Sequence, residues 1–496
     1  MNITTILRNS RDEWKRKAIE RGGAVRSLKK HLQREQTKRR RLEDQVNEAG
    51  VAIGRLREAV PAVPTAITLL PPPLVITTRA TCVLLAVNAV IPFRSVPRVM
   101  GVMQYQGWIP HFTSVINWTL RVGLCLLGDV QPVQAPWIAV IDMSIDVAVK
   151  KVLVVLRVPM NALKNRGAAI GLEDCECIGI QVASHWNGES VCTALQEIFS
   201  KSGFPAAILK DGGTDLNLGV RLWRSREDKK KVHVIDDIGH VIANGLKADF
   251  AWTLAFKNFL KSLFAGASKL RQSELAYLTP PKVRTKGRFQ GITRLAEWAD
   301  RIIPLLGAPG QVSKDSFTAR LRDLLGGLGK HRPFLLKFIG TCRTVRTILN
   351  IAKNKGINQK SYVELKTEIL KLPQRSKIRK KMTVWLERHI HIQCQLSMGQ
   401  TPLLVSSDVI ESLIGKFKIV LMRNPKAEFN RIVLTLPTLC KQLDSASVDQ
   451  ALAEVNHRAL QAWELKNVRD TQSKKRKAFN AGLFGSDPVQ KVGLAA

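Results

Sequence analysis

The stretch Trp137–Val158, WIAVIDMSIDVAVKKVLVVLRV, constrains this chain more than any other. Two apolar runs, 137–141 and 152–158, are short and rich in Val and Ile, which favours strands over helices. Asp142 closes the first run. A carboxylate there stands at the rim of a sheet, within reach of a metal or a substrate. An aspartate in a plain turn is the alternative reading of this stretch. Two further carboxylates in comparable settings, described below, bear on the choice.

Charge narrows the class of partner. The 496 residues carry 77 Lys+Arg against 40 Asp+Glu, a formal charge of +37. A field that positive points to a polyanion, and nucleic acid is the natural one. The excess runs along the whole chain, so a basic tail does not account for it. A basic ribosome-associated protein would share the charge without needing the 45% hydrophobic content. The cysteines are scattered, with Cys175 and Cys177 the only close pair, which reads as buried free thiols in a reducing compartment. The N-terminus is polar, unlike a signal peptide, and the apolar stretch 82–93 is too short to span a bilayer. A soluble, cytoplasmic protein with no membrane partner is expected.

In chain order, residues 1–60 read as a basic coiled-coil dimerisation region. With Val25 at position a, the a series is Val25, Leu32, Arg39, Val46, Ile53 and Val60. The d series is Leu28, Glu35, Leu42, Ala49 and Leu56. All are apolar but Glu35 and Arg39, and β-branched a positions with Leu at d favour a parallel dimer. Residues 61–75 form a proline-rich linker. Three short helical patterns follow at 77–90, 95–103 and 111–127, so 76–130 is expected to be a helix-turn-helix DNA-binding domain. The last pattern presents Thr113, Ser114, Asn117 and Arg121 on its polar side as candidate DNA contacts. A plain three-helix core piece is the alternative.

Three more strands are expected at 177–183, 205–209 and 232–235, with a helix over 189–202. The fourth strand lands on Lys210-Asp211-Gly212-Gly213 and the fifth on Asp236-Asp237. This order suits a mixed sheet whose first and fourth strands lie side by side, both ending in Asp. The glycines let the backbone turn so that the Asp211 carboxylate stays at the rim. From about 246 to 393 the pattern is helical, broken by a basic loop. Its Lys282, Arg284, Lys286 and Arg288 are candidate phosphate contacts, or else a solvated surface. The segment SSDVIESLIGKFK, 406–418, carries an N-cap signal and one apolar face, with Glu411 on its flank.

Five segments carry a resemblance when taken in order: IDMSIDVAVKKVLVVLRV, AAILKDGGTDL, VHVIDDIGHVIANGLK, LTPPKVRTKGRF and DVIESLIGKFK. They resemble bacterial insertion-sequence transposases of the DDE class, and RSVPRVMGVMQYQGWIPHFTSVINWTLRVGL resembles their helix-turn-helix segment. The likeness spans roughly residues 77–425. It implies an α/β fold with an RNase H-like mixed sheet core, interrupted by an all-helical insertion and preceded by the coiled coil and helix-turn-helix. The core would occupy 135–248 and 399–440, the insertion 249–398, and a basic helical tail 441–496. The resemblance places the catalytic and metal-binding triad on Asp142, Asp211 and Glu411. One departure is Met143-Ser144, where the family pattern has a polar pair.

Two Mg²⁺ ions, or Mn²⁺ in their place, are the implied cofactors. Ions about 3.5–4 Å apart activate an attacking oxygen and hold a leaving one, and Mg²⁺ favours hard carboxylate ligands. Asp142 would bridge the two, with Asp211 and Glu411 each completing one. Asp146, Asp215 and Asp237 are rival carboxylates, and His240 is expected to be structural. Implied partners are double-stranded DNA, as element ends and target, and further copies of the chain in a dimer or larger oligomer. The implied place is the bacterial cytoplasm, at the nucleoid. An inactive helix-turn-helix regulator and an RNase H-like nuclease or resolvase are the competing readings.

Overall fold

The structure is a computed structural model that describes residues 33, 37, 77–143, 150–226, 231–283, 289, 291–306, 317–421 and 428–480. The expected coiled coil and linker (33 and 37 apart), Asp146, Arg284, Lys286 and Arg288 lie outside these residues. The chain divides after Val75, and the second unit holds everything described from here on.

Three helices lead that unit: α1 (Thr78–Val87), α2 (Val96–Val102) and α3 (Phe112–Gly128). Next come β1 (Trp137–Met143), β2 (Lys151–Pro159), the short α4 (Met160–Arg166) and β3 (Glu176–Ala183). Then follow α5 (Gly188–Ser202), β4 (Ala207–Lys210), α6 (Thr214–Arg224), β5 (His233–Asp236) and α7 (Ile238–Phe250). The strands form one mixed five-stranded sheet in the order β3-β2-β1-β4-β5. The β1–β2 and β2–β3 pairs are antiparallel, whereas β1–β4 and β4–β5 are parallel.

Alternation along the strands assigns the two faces. Ile138, Val140, Val154, Leu156, Ala207 and Leu209 look one way, into a core shared with α7. Trp137, Ala139, Ile141, Leu153, Val155 and Ile208 look the other way, against α5 and α6. Burial on both faces explains why β1 and β2 read as unbroken apolar runs rather than alternating ones.

Between the sheet and its last helix lies the all-helical stretch: α8 (Leu254–Arg271), α9 (Ile292–Leu305), α10 (Phe317–Leu325), α11 (Arg332–Lys355), α12 (Gln359–Leu370) and α13 (Lys377–Gln395). Phe250, Phe256, Phe259, Phe334 and Phe338 pack edge-on and stacked at its centre. Their cluster is continuous with the first sheet face. The chain returns to the sheet in α14 (Asp408–Leu421) and ends in α15 (Thr435–Thr438), α16 (Ser445–Glu454), α17 (His457–Asn467) and α18 (Gln472–Asn480).

These closing helices pack on the leading three. Val448, Ala451 and Leu452 of α16 join Ala80, Val83, Val122 and Cys125 in one buried cluster. At Gly123 the backbones nearly touch, since a Cβ there would fall 1.7 Å from the Leu434 carbonyl oxygen. The eight cysteines are free, and all but Cys394 are buried. Among the described residues, no helix is long and apolar enough to cross a membrane.

Candidate active site

The parallel ladder of β1 and β4 runs to the pair Ile141 and Lys210. One residue further stand Asp142 and Asp211. Both share the parity of Val140 and Leu209, so both carboxylates look toward the face covered by α7. Each is oriented locally: Asp142 Oδ1 accepts from the Met143 amide at 2.7 Å, and Asp211 Oδ1 from the Gly213 amide at 2.8 Å. A Cβ at Gly213 would come to 3.0 Å from that same oxygen, which is why this position suits glycine.

Glu411 arrives on α14. Val409, Ile410, Leu413, Ile414 and Phe417 bury one side of this helix in the first core, leaving Glu411 on the exposed flank. Its charge reaches the rim. Burial pushes the Asp142 carboxyl up to about 7, the Asp211 charge adds to this, and Glu411 adds a little more. The Met143 amide and His240 pull the other way. Glu411 is itself raised, by burial first and then by Asp237 and Asp408, against Lys353 and His240. Thus the structure brings Asp142, Asp211 and Glu411 to one end of the sheet, where burial first and neighbouring charge second disfavour the charged forms of Asp142 and Glu411.

The two rival carboxylates within the described residues differ in place. Asp215 lies in the first turn of α6. Asp237 is only 4% exposed and lies beneath the rim, capping α7 through the His240 amide at 2.9 Å. His240 bridges the two levels, with Nδ1 3.1 Å from Asp237 Oδ1 and Nε2 3.7 Å from Asp211 Oδ2. Burial alone would lower the His240 pKa, but the bond and charge of Asp237, followed by Asp211 and Asp142, raise it. The sequence offered no sign of this contact beyond the proximity of His240 to the fifth strand.

A cavity of about 650 Å³ opens beside these groups. Asp237, His240 and Glu411 form one wall, while Lys282, Phe289, Arg294 and Lys353 from the helical stretch form the other. Lys282 therefore lines the same cavity as Asp237 and Glu411.

The donor set fits Mg²⁺ or Mn²⁺ chemically. Its oxygens are hard ligands, and a cation would favour the charged form of Asp142, which burial and then the Asp211 charge disfavour. Asp142, Asp211 and Glu411 are not drawn together within 4.8 Å of one another, as the ligand atoms of Cys125, Asp129 and Glu454 are among the described residues.

The expected DNA contacts on α3 divide. Thr113 is exposed at the helix start, its hydroxyl 2.9 Å from His111 Nδ1, and Ser114 is half-buried. Asn117 Oδ1 is buried without a hydrogen-bond partner. Arg121 points inward, its guanidinium donating to the Leu452 and Val455 carbonyls at the end of α16. A polar stripe on a helix reads as solvent-facing until a distant segment covers it, and here α16 does so.

No family model matches this sequence, and no curated protein matches it. Among solved structures the chain is similar to one described as a Drosophila P element transposase strand transfer complex. The identity is 12%, the match covers 75% of this chain and 92% of that one, and the TM-score is 0.41, a likeness too loose to carry residue roles.

Proposed function

We propose that this chain is a DDE-class transposase of the insertion-sequence kind, acting on the ends of its element through Asp142, Asp211 and Glu411. The observation that carries this reading is the adjacent pair Asp142 and Asp211 at the rim of β1 and β4, with Glu411 close enough to act on Asp142. The antiparallel β3-β2-β1 followed by parallel β4 and β5 is the arrangement of an RNase H-like core. The proposed triad would lie on its first strand, just past its fourth and on the helix after the insertion.

In this reading Asp142, Asp211 and Glu411 would hold the ions. When bound, the ions activate the attacking oxygen and stabilise the leaving one. Lys282, Arg294 and Lys353 would hold the phosphate backbone at the cavity mouth, their charges neutralising phosphates without reading bases. His240, held by Asp237, would keep the Asp211 carboxylate aimed into the site. Of the expected reading residues, the exposed Thr113 and half-buried Ser114 would be the ones to meet DNA. The coiled coil over 25–60, which would pair two copies, belongs to the same proposal, as do Arg284, Lys286 and Arg288 as further backbone contacts.

The test is a labelled duplex carrying the inverted repeats that flank the reading frame. With Mg²⁺ the protein should nick at the repeat end and join the freed 3′ end to a second duplex. Specific binding without nicking in Mg²⁺ or Mn²⁺ would contradict the proposal and leave a DNA-binding regulator. Nicking without joining would leave a nuclease.

A further inference from the structure

The neighbours Asp236 and Asp237 do different work at the place where the helical stretch joins the sheet. Asp236 ends β5 and looks to the face of α5 and α6. Its Oδ1 lies 2.7 Å from the buried Lys210 ammonium and its Oδ2 2.8 Å from the Arg388 guanidinium of α13. The same residue's carbonyl accepts from Trp385 Nε1 at 2.9 Å. Asp236 thus fastens the last helix of the stretch to the sheet edge.

Asp237 faces the opposite way and grips the chain where it returns. Its Oδ2 accepts from both the Ser407 amide, at 2.8 Å, and the Ser407 hydroxyl, at 3.0 Å. Ser407 immediately precedes α14, and its carbonyl accepts from the Glu411 amide at 3.1 Å. The backbone adds one parallel tie, from the Ile238 amide to the Val405 carbonyl at 3.0 Å. The other oxygen of Asp237 holds His240, which reaches Asp211. One buried carboxylate therefore touches both the start of the helix that carries Glu411 and the side chain that meets Asp211.

We infer that Asp237 is a positioning residue that sets Glu411 and Asp211 in register with each other across the 170-residue separation between Asp237 and Ser407. This rests on the catalytic reading above. The physical ground is that a carboxylate accepting from four donors fixes two elements at once. An amide has one acceptor oxygen, and its NH₂ would face donors on one side or the other. Asp237→Asn therefore has to leave the backbone amide of either Ser407 or His240 without its acceptor. Ser407→Ala removes one bond on the Glu411 side alone and leaves the amide contact in place.

The direct readout is Mn²⁺ binding, followed through the EPR signal of the free ion, on the full chain. Asp237→Asn should raise the half-saturating Mn²⁺ concentration about tenfold or more, the size seen when groups supporting metal ligands are lost. Ser407→Ala should raise it by less. In end cleavage kcat should fall while the KM for DNA holds. Asp142→Asn separates the two claims. If it binds Mn²⁺ like the wild type, the metal-site reading fails whatever Asp237 does. If it loses binding while Asp237→Asn and Ser407→Ala bind normally, the positioning role alone is overturned. Loss of Mn²⁺ binding, DNA binding and the melting transition together in Asp237→Asn, with Ser407→Ala unchanged, would assign Asp237 to the fold and also overturn the role.

Discussion

The Asp236 amide donates to Nε2 of His389 across 3.0 Å, joining the end of β5 to the middle of α13. Since Nε2 accepts, the proton of this imidazole belongs on Nδ1, which lies 2.6 Å from the Trp385 carbonyl. The ring is fully buried, with no room for a second proton without breaking the Asp236 bond. Burial, with Arg388 nearby, pulls its pKa down to about 4, although the Trp385 contact works against this.

A pH dependence of stability follows. In the unfolded chain His389 takes a proton near pH 6.5, but in the fold only near 4. Below 6.5 the unfolded state therefore binds more protons, so this contribution is fully present above 6.5 and is lost as pH falls toward 4. The loss is on the order of 3 kcal/mol for a group this buried. The raised pKa of Asp142 gives the opposite slope over part of that window, so the comparison is made with a variant. His389→Gln keeps an acceptor for the Asp236 amide and does not titrate. Urea unfolding at pH 4.5 and pH 7.5 should show a smaller acid loss in the variant than in the wild type. Equal losses would mean that His389 does not carry the dependence.

Gly123→Ala tests the seam between α3 and the closing helices. Alanine is favoured over glycine inside a helix by about 1 kcal/mol. Here its Cβ would fall 1.7 Å from the Leu434 carbonyl oxygen, and backbone does not yield as a flexible side chain does. The clash should win, with a net loss of about 1–3 kcal/mol typical of overpacking. A denaturation midpoint equal to or above that of the wild type would show that the two segments do not meet as described.

Arg121→Gln separates holding the fold from reading DNA. The guanidinium donates to the last carbonyls of α16, where a cation also suits the negative end of the helix. Losing a charged donor to buried carbonyls costs about 1.5–3 kcal/mol. The variant should be less stable, yet discriminate the repeat end from unrelated DNA as the wild type does. Thr113→Ala should do the reverse. A competition assay in which Arg121→Gln loses sequence preference at unchanged stability would return Arg121 to the reading set.

What the sequence made legible follows from the range of each interaction. The five strands announced themselves because β1 and β2 are buried on both faces and so carry unbroken Val and Ile. As candidates, Asp142 and Asp211 stood out because each follows an apolar run, and the resemblance put the third on Glu411, in a capped helix with one apolar face. Asp237 stood among the rival carboxylates, since its partner Ser407 lies 170 residues away and nothing local marks the pair. Arg121 was misplaced on an outer face for the same reason: its acceptors are 331 and 334 residues distant. Patterns of period two or 3.6 name an element and its apolar side, but not what covers the other side.

The central claim is that the Asp142 and Asp211 carboxylates hold the ions that drive phosphodiester cleavage. Replacing each in turn by cysteine exchanges a hard oxygen ligand for a soft sulfur, which Mg²⁺ disfavours more strongly than Mn²⁺ does. Cleavage of the labelled repeat end is then measured in each metal, with Asp215→Cys as the control away from the rim. The account predicts that Asp142→Cys and Asp211→Cys bind DNA normally, are inactive with Mg²⁺ and regain at least tenfold activity with Mn²⁺, while Asp215→Cys works in both. Wild-type cleavage by Asp142→Cys in Mg²⁺ would contradict it.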